Sequence, residues 1–243
     1  MKKRLDLLLV EKGYAPTRQR AQSLIMSGQV LVQEVPQTKA GALFSVDAEI
    51  RVRGQDHPYV SRGGVKLAGA LDSFNIVVEG KTALDVGAST GGFTHVLILR
   101  GIKKVYAVDV GHSQLDWKIR SDSRVVVHEK VNARHMEYSL IGEKVDLIVV
   151  DVSFISLEKI FPALLQFTAD STDWVTLIKP QFEVGKDRVG KGGLVRSDED
   201  RKRAIERLTK YGESLGVRLL ALIESPITGT QGNIEYLAHW KRQ

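Results

Sequence analysis

A glycine-rich segment in the middle of the chain combines the features of a cofactor-binding turn. In ALDVGASTGGFTHVLILRG, residues 83–101, an apolar strand leads into Gly87, Ser89 and Gly91 and then into a helix. Glycines let a ligand approach the backbone, and a helix amino terminus favours a negatively charged group such as a carboxylate. The glycine spacing matches neither the GxGxxG fingerprint of dinucleotide sites nor the P-loop. Asp85 adds negative charge before the turn, which favours a cationic ligand over a pyrophosphate.

A second acid, Asp109, ends the next predicted strand, KVYAVDV. At this position a carboxylate can accept hydrogen bonds from both hydroxyls of a ribose. The alternative is that the two acids only cap strand ends and the glycines only form a tight turn. The predicted cofactor-binding residues are Asp85, Gly87, Ser89, Gly91 and Asp109.

Four further residues could act on a proton. Asp151 ends the strand VDLIVVD, and Lys179 ends DWVTLIK just before Pro180 stops that strand. Lys66 lies in SRGGVKLAGAL and Glu235 in GNIEYL. Open parallel sheets place their chemistry at the carboxyl ends of the strands, so an amine and an acid there are candidates for catalysis. The alternative for either lysine is an exposed, solubilising charge.

The turn DxGAxxGGF resembles the S-adenosylmethionine site of class I methyltransferases. This resemblance implies that the methionine end of the cofactor lies against the glycine turn and that its ribose lies against Asp109. The adenine is then expected near residues 129–132. The expected cofactor is therefore S-adenosylmethionine.

The candidate proton-handling residues and the amino terminus resemble one family together. Lys66, Asp151, Lys179 and Glu235 resemble the Lys-Asp-Lys-Glu tetrad of FtsJ-like ribose methyltransferases. RLDLLLVEKGYAPTRQRAQSLIMSGQVLV resembles the S4-like RNA-binding domain, in which the second helix and its TRxxA start face RNA. Joined through PYVSRGGxKL, the two parts have the layout of the TlyA family of haemolysin-like ribosomal RNA 2′-O-methyltransferases. The resemblance covers essentially the whole chain and implies ribosomal RNA, or a ribosomal subunit, as the partner.

The reaction implied by this resemblance explains why such residues are needed. A ribose 2′-hydroxyl is a weak acid and a poor nucleophile at neutral pH. Lys179 is expected to take its proton as a neutral base or to stabilise its oxygen as a cation. Asp151 and Glu235 are expected to orient that amine, and Lys66 to position the ribose or its phosphate. Burial and a second cation favour the neutral amine, whereas nearby acids favour the ammonium, so both states stay open.

After residue 64 the chain alternates helical patterns with short Val/Ile/Leu-rich runs. This alternation predicts an α/β fold with a mainly parallel sheet buried on both faces. The runs at 217–223 and 233–240 lack a helix between them and predict an antiparallel carboxy-terminal hairpin at the sheet's edge. The fold class is thus that of a class I, Rossmann-like methyltransferase sheet. The expected parallel strands cover residues 82–88, 104–110, 124–128, 145–151 and 173–179.

The amino-terminal stretch predicts a small α+β RNA-binding domain. Thr17 can cap a helix from Arg18 to Ser27 that Gly28 stops. A first helix is expected over 5–12, and strands are expected over 29–33 and 49–53. The segment GQDHPYVSRGG at 54–64 has no periodicity and predicts the boundary between domains 1–58 and 59–243.

The charge balance favours a polyanionic partner. The chain has 35 Lys and Arg against 29 Asp and Glu, for a net charge of +6, and half of this excess lies within residues 1–60. Arg4, Arg18 and Arg20 are the candidate RNA-binding residues, because guanidinium groups form charge-assisted bonds with phosphates. A solvated helix face is the alternative.

Composition excludes several classes of protein. With 243 residues and 43% hydrophobic content, the chain is expected to be globular. Its apolar runs fall short of the ~18 residues that a membrane helix needs, so no membrane partner is expected. No secretory signal is expected, and the absence of cysteine favours the cytoplasm. The six histidines lack HxxxH-type spacing, so no metal site is expected.

Other functions stay open at this stage. One is an NAD-dependent oxidoreductase with an RNA-binding appendage. Others are a non-catalytic RNA-binding assembly factor and a membrane-active haemolysin. The sequence does not name the modified nucleotide, the ribosomal subunit or the oligomeric state.

Overall fold

The computed structural model describes residues 2–15, 17–53, 57–229 and 232–242 and divides the chain into two compact units. The first unit comprises residues 1–58 and the second residues 59–243. Residues 54–56, which belong to the predicted boundary segment, lie outside the described residues.

The amino-terminal unit consists of two helices and short strands. Its described elements are β1 (Lys2–Arg4), α1 (Leu5–Glu11), α2 (Arg18–Met26), β2 (Val30–Val32), β3 (Val35–Gln37), β4 (Leu43–Ser45) and β5 (Ile50–Val52). β1 pairs antiparallel with β4, and β2 pairs antiparallel with both β3 and β5. Thr17 caps α2 by accepting a hydrogen bond from the backbone N–H of Arg20 at 3.2 Å. The predicted limits of this helix are therefore confirmed to within one residue.

The core of this unit forms between its two helices and β2. Apolar residues spaced three or four apart share one face of a helix, which is why α1 and α2 can pack together. The buried side chains are Leu5, Leu8, Leu9, Ala21, Leu24, Ile25, Val30, Val32 and Ile50. The strands β1, β3 and β4 were missed in the sequence because three-residue strands carry no readable alternation.

The second unit is a seven-stranded sheet with helices. Its described helices and strands are α3 (Gly63–Ser73), β6 (Thr82–Val86), α4 (Gly92–Leu99), β7 (Lys104–Val108), α5 (Trp117–Arg120), β8 (Val125–His128), β9 (Val145–Val150), α6 (Phe161–Leu164), β10 (Thr168–Ile178), α7 (Pro180–Glu183), α8 (Asp198–Ser214), β11 (Val217–Glu224) and β12 (Tyr236–Arg242). The strand order is β11-β12-β10-β9-β6-β7-β8.

The pairing pattern of the sheet confirms the predicted fold class. The strands β10, β9, β6, β7 and β8 are parallel to one another, whereas β12 runs antiparallel to both β10 and β11. The predicted carboxy-terminal hairpin is therefore present, with β11 at the edge. One face packs against α3 and α4, and the other packs against α6 and α8. The carboxyl ends of all five parallel strands thus lie at the same edge of the sheet.

Candidate active site

The carboxyl ends of β6, β7, β9 and β10 bring the predicted site residues together. Gly87 follows β6, Asp109 follows β7, Asp151 follows β9 and Lys179 follows β10. Because neighbouring parallel strands end at the same edge, residues far apart in sequence become neighbours there. The same edge receives Lys66 from α3.

The glycine turn allows three backbone segments to approach closely. Gly87 has φ +85°, and a Cβ atom there would collide with the backbone carbonyl of Asp151. Gly91 has φ +92°, which favours glycine, and it precedes the first turn of α4. A side chain at Gly92 would collide with the hydroxyl of Ser61, which precedes α3. The turn therefore needs glycine both for conformation and for close packing.

Asp109 is fixed by backbone donors on both of its oxygens. Its Oδ2 accepts from the N–H of Ser89 at 2.8 Å, and its Oδ1 accepts from the N–H of Gly111 at 2.6 Å. A carboxylate has about four acceptor positions, so two remain for hydroxyl donors. A small cavity beside Asp109 is also lined by Leu115, Val127 and Glu129.

Asp85, the last predicted residue of the cofactor site, lies beneath the glycine turn. Its side chain is fully buried, and Oδ2 accepts a hydrogen bond from the Thr94 hydroxyl at 2.6 Å. Burial, with a further contribution from the nearby charge of Asp151, raises the pKa of Asp85 to about 7. Its Oδ1 is buried without a hydrogen-bond partner in the described residues. Its direct contact with a cofactor stays a prediction.

Lys179 is held by the loop that follows β9. Its Nζ lies 2.5 Å from Oδ1 of Asp151 and donates to the hydroxyl of Ser153 at 2.8 Å. The side chain of Lys179 is 11% exposed and that of Asp151 is 22% exposed. The amine therefore lies in the site with its predicted acid, not in bulk solvent.

Lys66 forms the second amine–carboxylate pair of the site. Its Nζ donates to Oε2 of Glu235, whose side chain is 2% exposed. A Cβ at Gly229 would collide with the same carboxylate, so glycine leaves the space that Glu235 occupies. The sequence predicted that Glu235 would orient Lys179, whereas the structure pairs Glu235 with Lys66.

A cavity of about 460 Å³ opens among these groups. The residues that line it are Ser61, Arg62, Gly63, Lys66, Gly87, Ala88, Ser89, Thr90, Gly92, Phe93, Asp151, Lys179, Ile227, Thr228 and Gly229. It thus joins the glycine turn to both amines.

Several residues of this site were missed in the sequence. Ser153 stands two residues after a strand-end acid, a position that could have indicated it. Thr94 gave no signal, because its bond to Asp85 depends on how α4 packs. Phe154 is 91% exposed with φ +64°, and its ring lies 5.2 Å from that of Phe182, on the turn after Lys179.

In the amino-terminal unit, two of the three candidate RNA-binding arginines share one acid. Arg4 donates to both oxygens of Asp6 at 3.0 Å, and Nε of Arg18 donates to Oδ2 at 2.9 Å. The Arg4 guanidinium holds the pKa of the buried Asp6 carboxyl well below its usual range. The side chains of Arg4 and Arg18 are 42% and 53% exposed. Arg20 is partly exposed one turn into α2.

Within residues 2–15, 17–53, 57–229 and 232–242, no three His, Asp or Glu side chains are grouped so as to hold a metal ion. No helix in the same ranges is long and apolar enough to cross a bilayer.

The sheet order, the glycine turn and the strand-end acids define a class I, Rossmann-like methyltransferase. A solved structure described as a candidate S-adenosylmethionine-dependent methyltransferase from Listeria monocytogenes has this fold. Its TM-score is 0.56 at 15% identity, over 75% of this chain and 100% of that one.

More similar proteins narrow the class to a family. The FtsJ-like methyltransferase model matches residues 59–242, and the S4 domain model matches residues 3–50. The 16S/23S rRNA (cytidine-2′-O)-methyltransferase TlyA of Mycobacterium tuberculosis is 45% identical over 240 residues, 98% of this chain and 89% of the relative. A candidate hemolysin from Streptococcus thermophilus has a TM-score of 0.79 at 40% identity, covering 100% of this chain and 89% of that one. The chain belongs to the TlyA family of FtsJ-like methyltransferases.

Proposed function

We propose that this chain transfers a methyl group from S-adenosylmethionine to a ribose 2′-hydroxyl of ribosomal RNA. The observation that carries the proposal is the contact of Lys179 with Asp151 and Ser153, in a cavity that also reaches the glycine turn and Lys66. The M. tuberculosis relative, named for cytidine 2′-O-methylation, supports the same substrate class. The proposal places the enzyme in the cytoplasm with the ribosome.

The glycine turn and Asp109 are proposed to hold the cofactor. Gly87, Ser89 and Gly91 form a cradle whose helix amino terminus favours the cofactor's carboxylate. Asp109 keeps two acceptor positions for ribose hydroxyls, and its backbone donors fix its orientation. Asp85 acts from beneath the turn through Thr94. S-adenosylmethionine supplies a methyl group on a positively charged sulfur, which an oxygen nucleophile can take.

Lys179 is proposed to act on the 2′-oxygen, with Asp151 holding the amine in place. The oxygen gains a bond to the methyl carbon as the carbon–sulfur bond breaks, and its proton must leave. An amine that touches the oxygen either accepts that proton or stabilises the negative charge that develops there. Because Asp151 lines the same cavity, it both orients Lys179 and offers a second acceptor for the proton.

Lys66 is proposed to position the ribose or its phosphate. Its amine lines the cavity, whereas Glu235 lies behind it and is almost fully buried. Alignment of reacting atoms contributes on the order of 7 kcal/mol or more to such reactions. Arg4, Arg18 and Arg20 are proposed to pair with RNA phosphates.

Transfer of a labelled methyl group to purified small and large ribosomal subunits tests the proposal directly. Label is expected on ribosomal RNA, and its position after nuclease digestion is expected to be a ribose 2′-oxygen. A thermal-shift assay should show stabilisation by S-adenosylmethionine and none by NAD. RNA binding without label would indicate an assembly factor, and lysis of red cells without label would indicate a haemolysin; either result would contradict the proposal.

A further inference from the structure

Behind the catalytic amine lies a buried acid that the proposed reaction does not use. Glu183 ends α7, the single turn that begins directly after Lys179, and it is 3% exposed. Since one helical turn spans about four residues, Glu183 is attached rigidly to the residue that carries the amine. The backbone N–H of Phe182 donates to the carbonyl of Lys179 at 2.9 Å within this turn.

The carboxylate of Glu183 contacts the loop that follows Asp151. Its Oε2 accepts from the hydroxyl of Ser156 at 2.6 Å, and its Oε1 accepts from the N–H of Leu157 at 3.0 Å. At its other end, the same loop supplies Asp151 and Ser153 to the amine of Lys179. The turn and the loop are therefore joined at two places, once in the cavity and once behind it.

Arg207 of α8 contacts both Glu183 and the loop after Asp151. Its Nη2 donates to the backbone carbonyl of Glu183 at 2.7 Å and lies 3.5 Å from Oε2 of the carboxylate. Its Nε donates to Glu158 of the loop at 2.8 Å. The turn and the loop thus share a third, partly exposed connection.

Burying the carboxyl of Glu183 costs folding free energy, so a purely structural role does not account for an acid at this position. Removal from water raises the pKa of Glu183 to about 7, although Ser156 and Leu157 oppose the shift. A polar group that is costly to bury, and that lies directly behind a reactive pair, is characteristic of a residue that supports a functional site.

We propose that Glu183 is a positioning residue that fixes the distance between Lys179 and Asp151 by tying the turn after one to the loop after the other. The inference rests on the proposed function, because it assigns Glu183 a purpose only if that pair acts on the ribose oxygen. A misplacement of about 1 Å in such a pair costs on the order of 100-fold in rate. Cofactor binding should be spared, because the glycine turn belongs to other elements.

Steady-state methylation of ribosomal subunits by Glu183→Ala and Glu183→Gln tests the inference. Glu183→Ala should lower kcat by about 10- to 100-fold while the calorimetric affinity for S-adenosylmethionine stays unchanged. Glu183→Gln should recover most of kcat, because its amide can accept from the Leu157 N–H and donate to the Ser156 hydroxyl. This rescue would show that Glu183 acts through its hydrogen bonds and not through its negative charge.

Thr172→Val provides a control of comparable structural cost. Thr172 is fully buried within β10, and its hydroxyl donates to the carbonyl of Val145, the first residue of β9, at 2.6 Å. Thr172 precedes Lys179 by seven positions along the strand, roughly 20 Å. This variant should lose thermal stability and keep the wild-type kcat. The same loss of kcat in Thr172→Val at an equal loss of Tm would overturn the positioning role.

The remaining outcomes separate the two proposals. Wild-type kcat in Glu183→Ala, or an equal loss of kcat and cofactor affinity, overturns the inference while leaving the proposed function standing. No methyl transfer by the wild-type chain overturns the proposed function itself. If Glu183→Ala does not fold, Ser156→Ala takes its place and should lower kcat several-fold; unchanged kcat there overturns the inference.

Discussion

In both units carboxylates hold the candidate functional cations, but they do so in opposite ways. In the amino-terminal unit one fully buried acid, Asp6, holds Arg4 and Arg18, whose guanidinium groups stay about half exposed. In the second unit Lys66 and Lys179 are each 11% exposed, and each has its own acid. Exposed cations can pair with phosphates along the backbone of a polyanion. A buried amine in a cavity can instead act on a single reacting atom. Under the proposed function, RNA affinity and methyl-transfer chemistry are therefore assigned to different cations.

Lys179→Ala is the strongest test of this separation. Loss of the amine that is proposed to contact the 2′-oxygen should lower kcat by at least about 10³-fold. Binding of S-adenosylmethionine and of RNA should remain, because neither the glycine turn nor the amino-terminal arginines are touched. Methyl-transfer kinetics and calorimetry measure the two effects, and Lys202→Ala, which removes an exposed lysine of α8, is the matched control. Parallel loss of activity and cofactor binding would refute the assigned role.

Glu235→Gln tests whether the second pair works through its buried acid. The Lys66 ammonium would lose its carboxylate inside the protein, which should cost about 1–3 kcal/mol of stability. Methylation should fall about 10-fold or more as Lys66 loses its position. Thermal unfolding and kcat are the readouts, with Glu213→Gln on the surface of α8 as the control. Unchanged kcat would show that Lys66 does not position the substrate.

Asp85 extends the comparison to a buried acid with no cationic partner among the described residues. Its pKa of about 7 lies above that of the unfolded chain, so the folded protein holds the proton more tightly. The free energy of unfolding should therefore fall as pH rises from about 4 to about 7. In Asp85→Asn, the difference in the free energy of unfolding between pH 5 and pH 8 should be smaller by on the order of 1–3 kcal/mol. Denaturant unfolding at the two pH values measures this difference.

Three other acids provide a control and comparisons for the pH dependence expected of Asp85. Asp170→Asn, at an exposed position, should leave the slope unchanged. Glu183, whose pKa is also raised to about 7, contributes in the same direction, so some slope should persist in Asp85→Asn. Asp6 has a lowered pKa, and its stabilising contribution disappears only as pH falls below about 4. A slope in Asp85→Asn equal to that of the wild type would contradict the raised pKa.

The smallest expected effect is that of Arg18→Ala on RNA affinity. Loss of one phosphate contact should weaken binding by a few-fold and reduce the slope of affinity against salt by about one. At saturating RNA, kcat should be unchanged. Arg51→Ala removes the same charge from an exposed pair with Glu34 in the same unit and is the matched control. Equal weakening by both variants would indicate net charge and not a specific contact.

Local sequence patterns predicted much of the fold. Apolar runs of four to six residues separated by helix-length segments predicted the five parallel strands, because a strand buried on both faces must be continuously apolar. The carboxy-terminal hairpin followed from the missing helix between its strands. The first half of β10 was missed because Thr168–Thr172 is polar and pairs irregularly with β9.

The sequence predicted which residues would form the site but not which acid would pair with which amine. Lys179 and Asp151 could be placed together because both end parallel strands. The partner of Glu235 could not be predicted, since Lys66 is 169 residues away and lies on a helix. Glu183 gave no signal, because its purpose depends on a loop that only folding brings against it.

The sequence alone determined the two-part layout, the parallel sheet, the glycine turn and the set of charged residues at the strand ends. These features follow from periodicity and from residue type, which are local properties of the chain. The tertiary structure alone decided which acid holds which amine, which two carboxyls have a pKa raised to about 7 and which buried acid lies behind Lys179. Those outcomes depend on burial and on contacts of about 3 Å between residues distant in sequence, and no spacing along the chain encodes such distances.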